Sequence, residues 1–240
     1  MGDELQARPL SDVWHLRDVD WLHELSHDEL QRLESASSRR DYKEGEVVFA
    51  PESSPHSLYL LESGLVRIYR LSGDGGEATF GYVAPGEVFG ELAAFGDYPR
   101  ESFAEAVRES RVWRLQATAF RELLASRPSI VLEVTRQIGN RFKRMESRVE
   151  DLVFRDVRAR LAHVLLELSQ DLGRPLDGTI VIQVELTQSE LATLVGSTRQ
   201  TVNAVLREFE SQGITGRRGR RIALLQIDEL ERVARAPAGV

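Results

Sequence analysis

The feature that most constrains this sequence is a pair of helix starts packed closely around one glycine. Thr187-Gln188-Ser189-Glu190 has the capping-box form, in which the Thr187 hydroxyl and the Glu190 carboxylate each satisfy an amide of a starting helix. It opens the short helix Leu191-Ala192-Thr193-Leu194, and Gly196 ends it. Ser197-Thr198-Arg199-Gln200 has the Ser-x-x-Gln form of a further box, which predicts a second helix from Thr201 to Gln212, capped by Ser197. Its apolar positions Val202, Val205, Leu206 and Phe209 face inward. A small residue at Ala192 lets two helices cross closely, and Gly196 accepts the positive φ of a tight turn. The spacing predicts a helix-turn-helix.

Beyond the second helix the residues fit a wing. Gly213-Ile214-Thr215 and Ile222-Ala223-Leu224-Leu225 read as two strands around the basic hairpin Gly216-Arg217-Arg218-Gly219-Arg220-Arg221. Such a hairpin can lie along phosphates, where each arginine displaces condensed counterions. A recognition helix enters the major groove near its N-terminus, so Arg199, Gln200 and Asn203 are the candidate base readers. Arg199 can pair with guanine and Gln200 with adenine. Thr187, Ser189, Thr198, Thr201, Arg217, Arg218 and Arg220 are the candidate backbone contacts. Double-stranded DNA is therefore the expected partner.

Upstream the texture differs. Ser26-His27-Asp28-Glu29 is another capping box, followed by Leu30 and Leu33, and Trp14 and Trp21 read as core or docking aromatics. From Tyr42 to about Leu115, short runs such as Val47-Val48-Phe49, Leu58-Tyr59-Leu60-Leu61, Leu65-Val66-Arg67-Ile68-Tyr69 and Ala78-Thr79-Phe80-Gly81-Tyr82-Val83 alternate with glycine turns. A small antiparallel barrel or jelly roll is predicted.

After Pro128 the period becomes helical, with Val131, Val134, Ile138, Phe142, Met145, Val149 and Leu152 in steps of three and four. This stripe predicts a self-associating helix, with Val134, Ile138, Phe142, Met145, Val149 and Leu152 on its dimer face. A break falls at Phe154-Arg155-Asp156, where Asp156 can cap a helix carrying Val157, Leu161, Leu165 and Leu168. The expected class is α+β: a β-roll with N-terminal helices over residues 1–127, a dimerisation helix over 128–154, and a winged helix-turn-helix over 155–240.

Charge agrees with a local nucleic-acid surface. The chain carries a net −7, which divides into −8 over residues 1–154 and +1 over residues 155–240. The absence of cysteine excludes disulfides, thiolate catalysis and cysteine-ligated metal sites. The start, Met1-Gly2-Asp3-Glu4-Leu5, lacks the order of a secretory signal, and no apolar run is long enough to span a bilayer. The expected setting is the cytoplasm, without membrane association.

The order of β-roll, long helix, Phe-x-Asp hinge and winged helix-turn-helix resembles the CRP/FNR family of bacterial regulators over nearly the whole chain. The matching residues are Gly45, Gly64, Gly86 and Gly90-Glu91-Leu92 in the roll, Phe154 and Asp156 at the hinge, and Val195-Gly196-Ser197-Thr198-Arg199-Gln200-Thr201-Val202 in the reader. The resemblance implies a homodimer on a palindromic operator, contact with RNA polymerase, and a role in transcription activation. It also implies an effector pocket at Glu91, Arg100 and Arg141. Members that bind cyclic AMP follow the arginine with Ser-Ala or Thr-Ala, whereas here Arg100 precedes Glu101, whose carboxylate would repel a phosphate. Their adenine-binding Thr and Ser correspond to Met145 and Glu146. These departures argue against cyclic AMP, and no cofactor or metal is expected.

Three alternatives stand beside this reading. One is gating of the same regulator by cyclic AMP or another small ligand. The second is a cyclic-nucleotide-binding module that does not bind DNA, which the capped helix pair and wing disfavour. The third is a cupin-type enzyme, which wants two or three histidines and a carboxylate on facing strands. The predicted roll holds His56 alone, and no catalytic residues are assigned.

Overall fold

The computed structural model describes residues 20–73, 76–96 and 98–236; Trp14 lies outside them. By internal packing the chain divides into two compact units. The first takes the described residues up to Ile68 together with Tyr82–Gly139, and the second takes Tyr69–Gly81 together with those from Asn140 onward.

In the first unit a 3-10 turn (Asp20–Glu24) leads into α1 (His27–Ser35). The Ser26 hydroxyl accepts from the Glu29 amide, and the Glu29 carboxylate accepts from the Ser26 amide, completing the predicted box. The roll follows as β1 (Ser37–Tyr42), β2 (Val47–Phe49), β3 (Ser57–Ser63), β4 (Val66–Leu71), β5 (Glu77–Val83), β6 (Val88–Phe89), β7 (Phe103–Ala106) and β8 (Ser110–Gln116), with α2 (Glu91–Phe95) between β6 and β7; residues 69–71 of β4 and 77–81 of β5 count with the second unit. These strands form two four-stranded sheets, ordered β1-β8-β3-β6 and β2-β7-β4-β5.

Strand β3 explains why the sequence there is a continuous apolar run and not an alternating one. Successive side chains point to opposite faces, and both faces of β3 are covered. Tyr59 and Leu61 join Phe49, Val66, Phe89 and Ala104 in a core shared by the two sheets. Leu58 and Leu60 join a second core with Trp21, Leu30, Leu33, Trp113 and Phe120. Each fully buried Leu or Phe here contributes roughly 1.5–3 kcal/mol, so this strand anchors both layers.

Helix α3 (Ala117–Ser126) stops at Arg127, whose extended backbone (φ −132°, ψ 86°) is what a residue before proline adopts. Pro128 then opens α4 (Pro128–Phe154), at a position where its missing N–H costs nothing. The stripe on α4 changes role along its length. Val134 is buried in the second core beside Ile130 and Ile138 packs against it, whereas Val131, the first residue of the predicted stripe, is exposed. Phe142, Met145, Val149 and Leu152 are exposed at 61, 43, 62 and 53%. Val134 is therefore committed to the chain's own roll, while Ile138 is half-buried against it.

The second unit continues with α5 (Val157–Leu172), β9 (Gly173–Leu176), β10 (Thr179–Ile182), α6 (Gln188–Val195), α7 (Arg199–Ser211), β11 (Thr215–Arg218), β12 (Arg221–Leu224) and α8 (Ile227–Ala234). Asp156 caps α5 through the Ala159 amide, as predicted. Leu161, Leu165, Leu191, Val202, Leu206, Phe209, Leu224 and Leu230 are buried in this unit. The last four strands form one antiparallel sheet, ordered β11-β12-β10-β9.

The Glu29 carboxylate does more than cap α1. It receives two hydrogen bonds from the Arg127 guanidinium (2.8 and 2.6 Å), and these, with Ser26, lower its pKa to about 2. A depressed carboxylate pKa contributes stability that is complete above the unfolded value and is lost as pH falls through the folded one. Glu29→Gln is expected to lower the urea midpoint near neutrality, with the gap to wild type closing between about pH 5 and about pH 2. A gap unchanged over that range would contradict this linkage.

Candidate nucleic-acid interface and roll pocket

The turn between α6 and α7 is built by backbone geometry first. Gly196 adopts φ 66°, ψ 48°, the left-handed region that favours glycine. A Cβ there would also lie 2.7 Å from Leu152 Cδ2. The Ser197 amide bonds back to the Ala192 carbonyl (3.0 Å), which places Ser197 inside the turn. The cap of α7 is accordingly Thr198 and not Ser197, with its hydroxyl accepting from the Thr201 amide at 3.1 Å. The helix begins two residues earlier than the spacing predicted, so Arg199 and Gln200 lie in its first turn.

This shift puts the candidate readers at the helix mouth. Arg199 and Gln200 are exposed, and neither has a polar side-chain partner among the described residues. Asn203 differs: it is half-buried, and its Oδ1 accepts from Gln188 Nε2 at 2.7 Å, tying α7 to α6. Sequence spacing gave no sign of that contact, because it crosses between two helices. Of the four candidate hydroxyls, Thr187 is engaged in its box with Glu190, and Thr198 and Thr201 pair with each other at 2.8 Å. Ser189 is exposed.

The β11–β12 hairpin turns at Gly219-Arg220, with Arg218 opposite Arg221. Arg217 holds Glu210 on α7 (3.0 Å) and Arg220 holds Glu185 (3.2 Å). Arg218 is exposed and has no partner among the described residues. The three candidate phosphate-binding arginines are thus unequal. Two would have to exchange a carboxylate for a phosphate, and one is free to bind directly.

Two elements of this unit escaped the sequence reading. The β9–β10 hairpin turns on Asp177-Gly178, both at positive φ (47° and 74°). Asp-Gly between apolar residues is a strong two-residue hairpin signal, so this turn was legible. Helix α8 was also missed.

In the roll, Arg100 is 4% exposed and donates to the Ser57 carbonyl at 2.7 Å. Its guanidinium lies 4.3 Å from the Phe49 ring centre and 5.5 Å from that of Tyr59. Burial pushes its pKa below the ordinary value, with Tyr59 and Glu91 acting in the opposite direction. Nε and Nη1 are buried without a hydrogen-bond partner among the described residues. Gly90 takes the left-handed φ of 74° that favours glycine, and a Cβ there would fall 2.4 Å from Nη1 and 3.3 Å from the Phe49 and Tyr59 rings. Glu91 is buried and Glu101 is exposed. Arg141 is half-buried on α4 in the second unit. The donor set in the roll fits an anion. Among the described residues no cluster of three His, Cys, Asp or Glu could hold a metal, and no helix is long and apolar enough to cross a membrane.

Comparison with known proteins agrees with both units. Residues 39–127 match the Cyclic nucleotide-binding domain family, and residues 159–233 match the Crp-like helix-turn-helix domain family. The CRP-like cAMP-activated global transcriptional regulator of Mycobacterium tuberculosis is 35% identical over 195 residues, covering 81% of this chain and 87% of that protein. The Cyclic AMP receptor protein of Thermus thermophilus is 30% identical over 193 residues, covering 80% and 86%. A solved CRP/FNR-family transcriptional regulator from Thermus thermophilus superposes with a TM-score of 0.69 at 30% identity, covering 83% of this chain and 99% of that one.

A left-handed conformation costs a residue with a Cβ about 1–2 kcal/mol, so Gly196→Ala is expected to lower stability by at least that much in urea unfolding. An unchanged midpoint would mean that the turn relaxes to another geometry.

Proposed function

The chain belongs to the CRP/FNR family of transcriptional regulators, and we propose that it acts as a homodimer on a palindromic operator in double-stranded DNA. Each protomer would place α7 in the major groove and the β11–β12 hairpin along flanking phosphates. The observation that carries this reading is the mouth of α7, where exposed Arg199 and Gln200 have no polar side-chain partner among the described residues and stand on a helix fixed by Gly196 and Thr198. Arg199 offers a bidentate pair to guanine O6 and N7, and Gln200 offers one to adenine N6 and N7. Asn203 supplies its remaining amide donors, with its oxygen held by Gln188.

Dimerisation is supported by Phe142, Met145, Val149 and Leu152, which leave a continuous apolar strip on the exposed half of α4. Helical steps of three and four make such a strip a seam for a second copy. A twofold seam gives twofold operator symmetry, with recognition helices about 34 Å apart. RNA polymerase is the expected further partner and the cytoplasm the expected location, both by family membership. Transcription activation is the expected role.

A second reading is favoured by Arg100. Two buried donors on a permanent cation beside a glycine cradle suit an anionic effector in the roll. Glu101 is exposed to solvent, which weakens its expected repulsion. The relatives named above are cAMP-activated or cyclic AMP receptor proteins, and Met145 and Glu146 remain departures at the adenine positions.

The base-reading and backbone roles separate in an equilibrium binding experiment. Arg199→Ala is expected to cost about 1–3 kcal/mol on the operator and to relax one G·C position. Arg218→Gln is expected to weaken all sequences alike and to reduce the salt slope by about one. The same change at Arg217 should act less, because Glu210 already competes for that guanidinium. A sequence-specific loss at Arg218 with a uniform loss at Arg199 would contradict the assignment.

A further inference from the structure

A cleft of about 610 Å³ opens within the second unit between the second half of α4, α5 and the end of α8. Its size is that of a small-molecule site. Asn140, Arg144 and Ser147 on α4 border it, as do His163 and Glu167 on α5. At 100° per residue these α4 positions lie about 160° around the helix from Phe142, Met145 and Val149. Those three positions and the apolar strip therefore lie on different faces of α4, with Lys143 between them, about 100° from Phe142.

Its chemistry is unbalanced toward positive charge. Four permanent cations line it, Lys143, Arg144, Arg155 and Arg235, against the carboxylates of Glu167 and Glu231. Arg155 is held by buried Asp151 (3.1 Å), which also bonds His163, and Arg235 by Glu231 (2.9 Å). Burial raises the Glu167 carboxyl above its ordinary pKa, against the pull of Arg148, His163 and Arg144. That carboxylate also pairs with Arg148 (3.7 Å), which does not line the cleft, so it is shared with a cation outside the walls. Lys143 is exposed at the mouth with no carboxylate partner among the described residues. Asn140, Ser147 and Gln170 add uncharged donors and acceptors to the same walls.

We propose that this cleft binds a nucleotide-sized phosphate ester carrying several negative charges, at a site separate from the roll pocket. Lys143 and Arg144 on α4 and Arg235 just past the end of α8 would hold the phosphates, and the amides and hydroxyl would hold the uncharged part. A ligand there would bridge three helices beside the Phe154-Arg155-Asp156 hinge, stiffening the junction that carries the DNA-reading helices. A concave site walled on three sides suits a small anion and not a duplex, whose backbone meets the exposed start of α7 and the wing.

The test is calorimetric titration of the full-length protein with adenosine triphosphate and with inorganic pyrophosphate at fixed ionic strength. Both probes are expected to bind, with adenosine triphosphate the tighter. Lys143→Glu, a change at an exposed position that leaves the core untouched, is expected to weaken both by roughly tenfold or more. Lys143→Gln should weaken them less. Two results would overturn the proposal. One is the absence of binding by either probe at millimolar concentration. The other is binding that survives Lys143→Glu but is lost in Arg218→Gln or Arg100→Gln, which would place the anion on the wing or in the roll.

Discussion

The structure depends on α4 running unbroken from Pro128 to Phe154 with one apolar stripe in register. The same three-and-four spacing serves two purposes in succession. At Val134 and Ile138 it packs into the roll's own core beside Ile130, where Ile130 and Val134 lose nearly all contact with water. From Phe142 it is left exposed, and an exposed apolar strip of this length is what a helix presents to a second copy. On the opposite side of the same segment the residues are polar and basic, and they line the cleft against α5 and α8.

The charge of the chain as a whole, −7, would not suggest a nucleic-acid partner. Placement matters more than the total. Most acidic groups near the wing are already committed: Glu190 caps α6, Glu210 holds Arg217, and Glu185 holds Arg220. Arg199, Gln200 and Arg218 are left without partners among the described residues, at the positions where a winged helix-turn-helix meets bases and phosphates. Specific recognition and general attraction are thereby assigned to different side chains.

Much of this was legible in the sequence, and the gaps have physical causes. Capping boxes are local, so the starts of α1 and α6 and the Asp156 cap were readable from residue types alone. For α7 the cap was placed one residue early, at Ser197, and the first helical residue two residues late, at Thr201; Ser197 and Thr198 are both good caps, and the choice is made by the Ser197 amide bonding back to Ala192. The stripe on α4 was visible, but its division at Gly139 was not, since periodicity does not reveal which partner covers each turn. The clamp between Gln188 and Asn203 and the stacking of Arg100 on Phe49 join residues far apart in sequence, and no spacing rule reports them. The Asp177-Gly178 turn did carry a clear local signal.

The central claim is that two copies of α7 read one symmetric site. Selection of binding sites from a random-sequence duplex library with the full-length protein tests it most directly. The account predicts a palindrome whose half-sites are centred about 10–10.5 base pairs apart, each with a guanine and an adenine at the invariant steps. Recovery of no enriched sequence, or of a single asymmetric half-site, would contradict it.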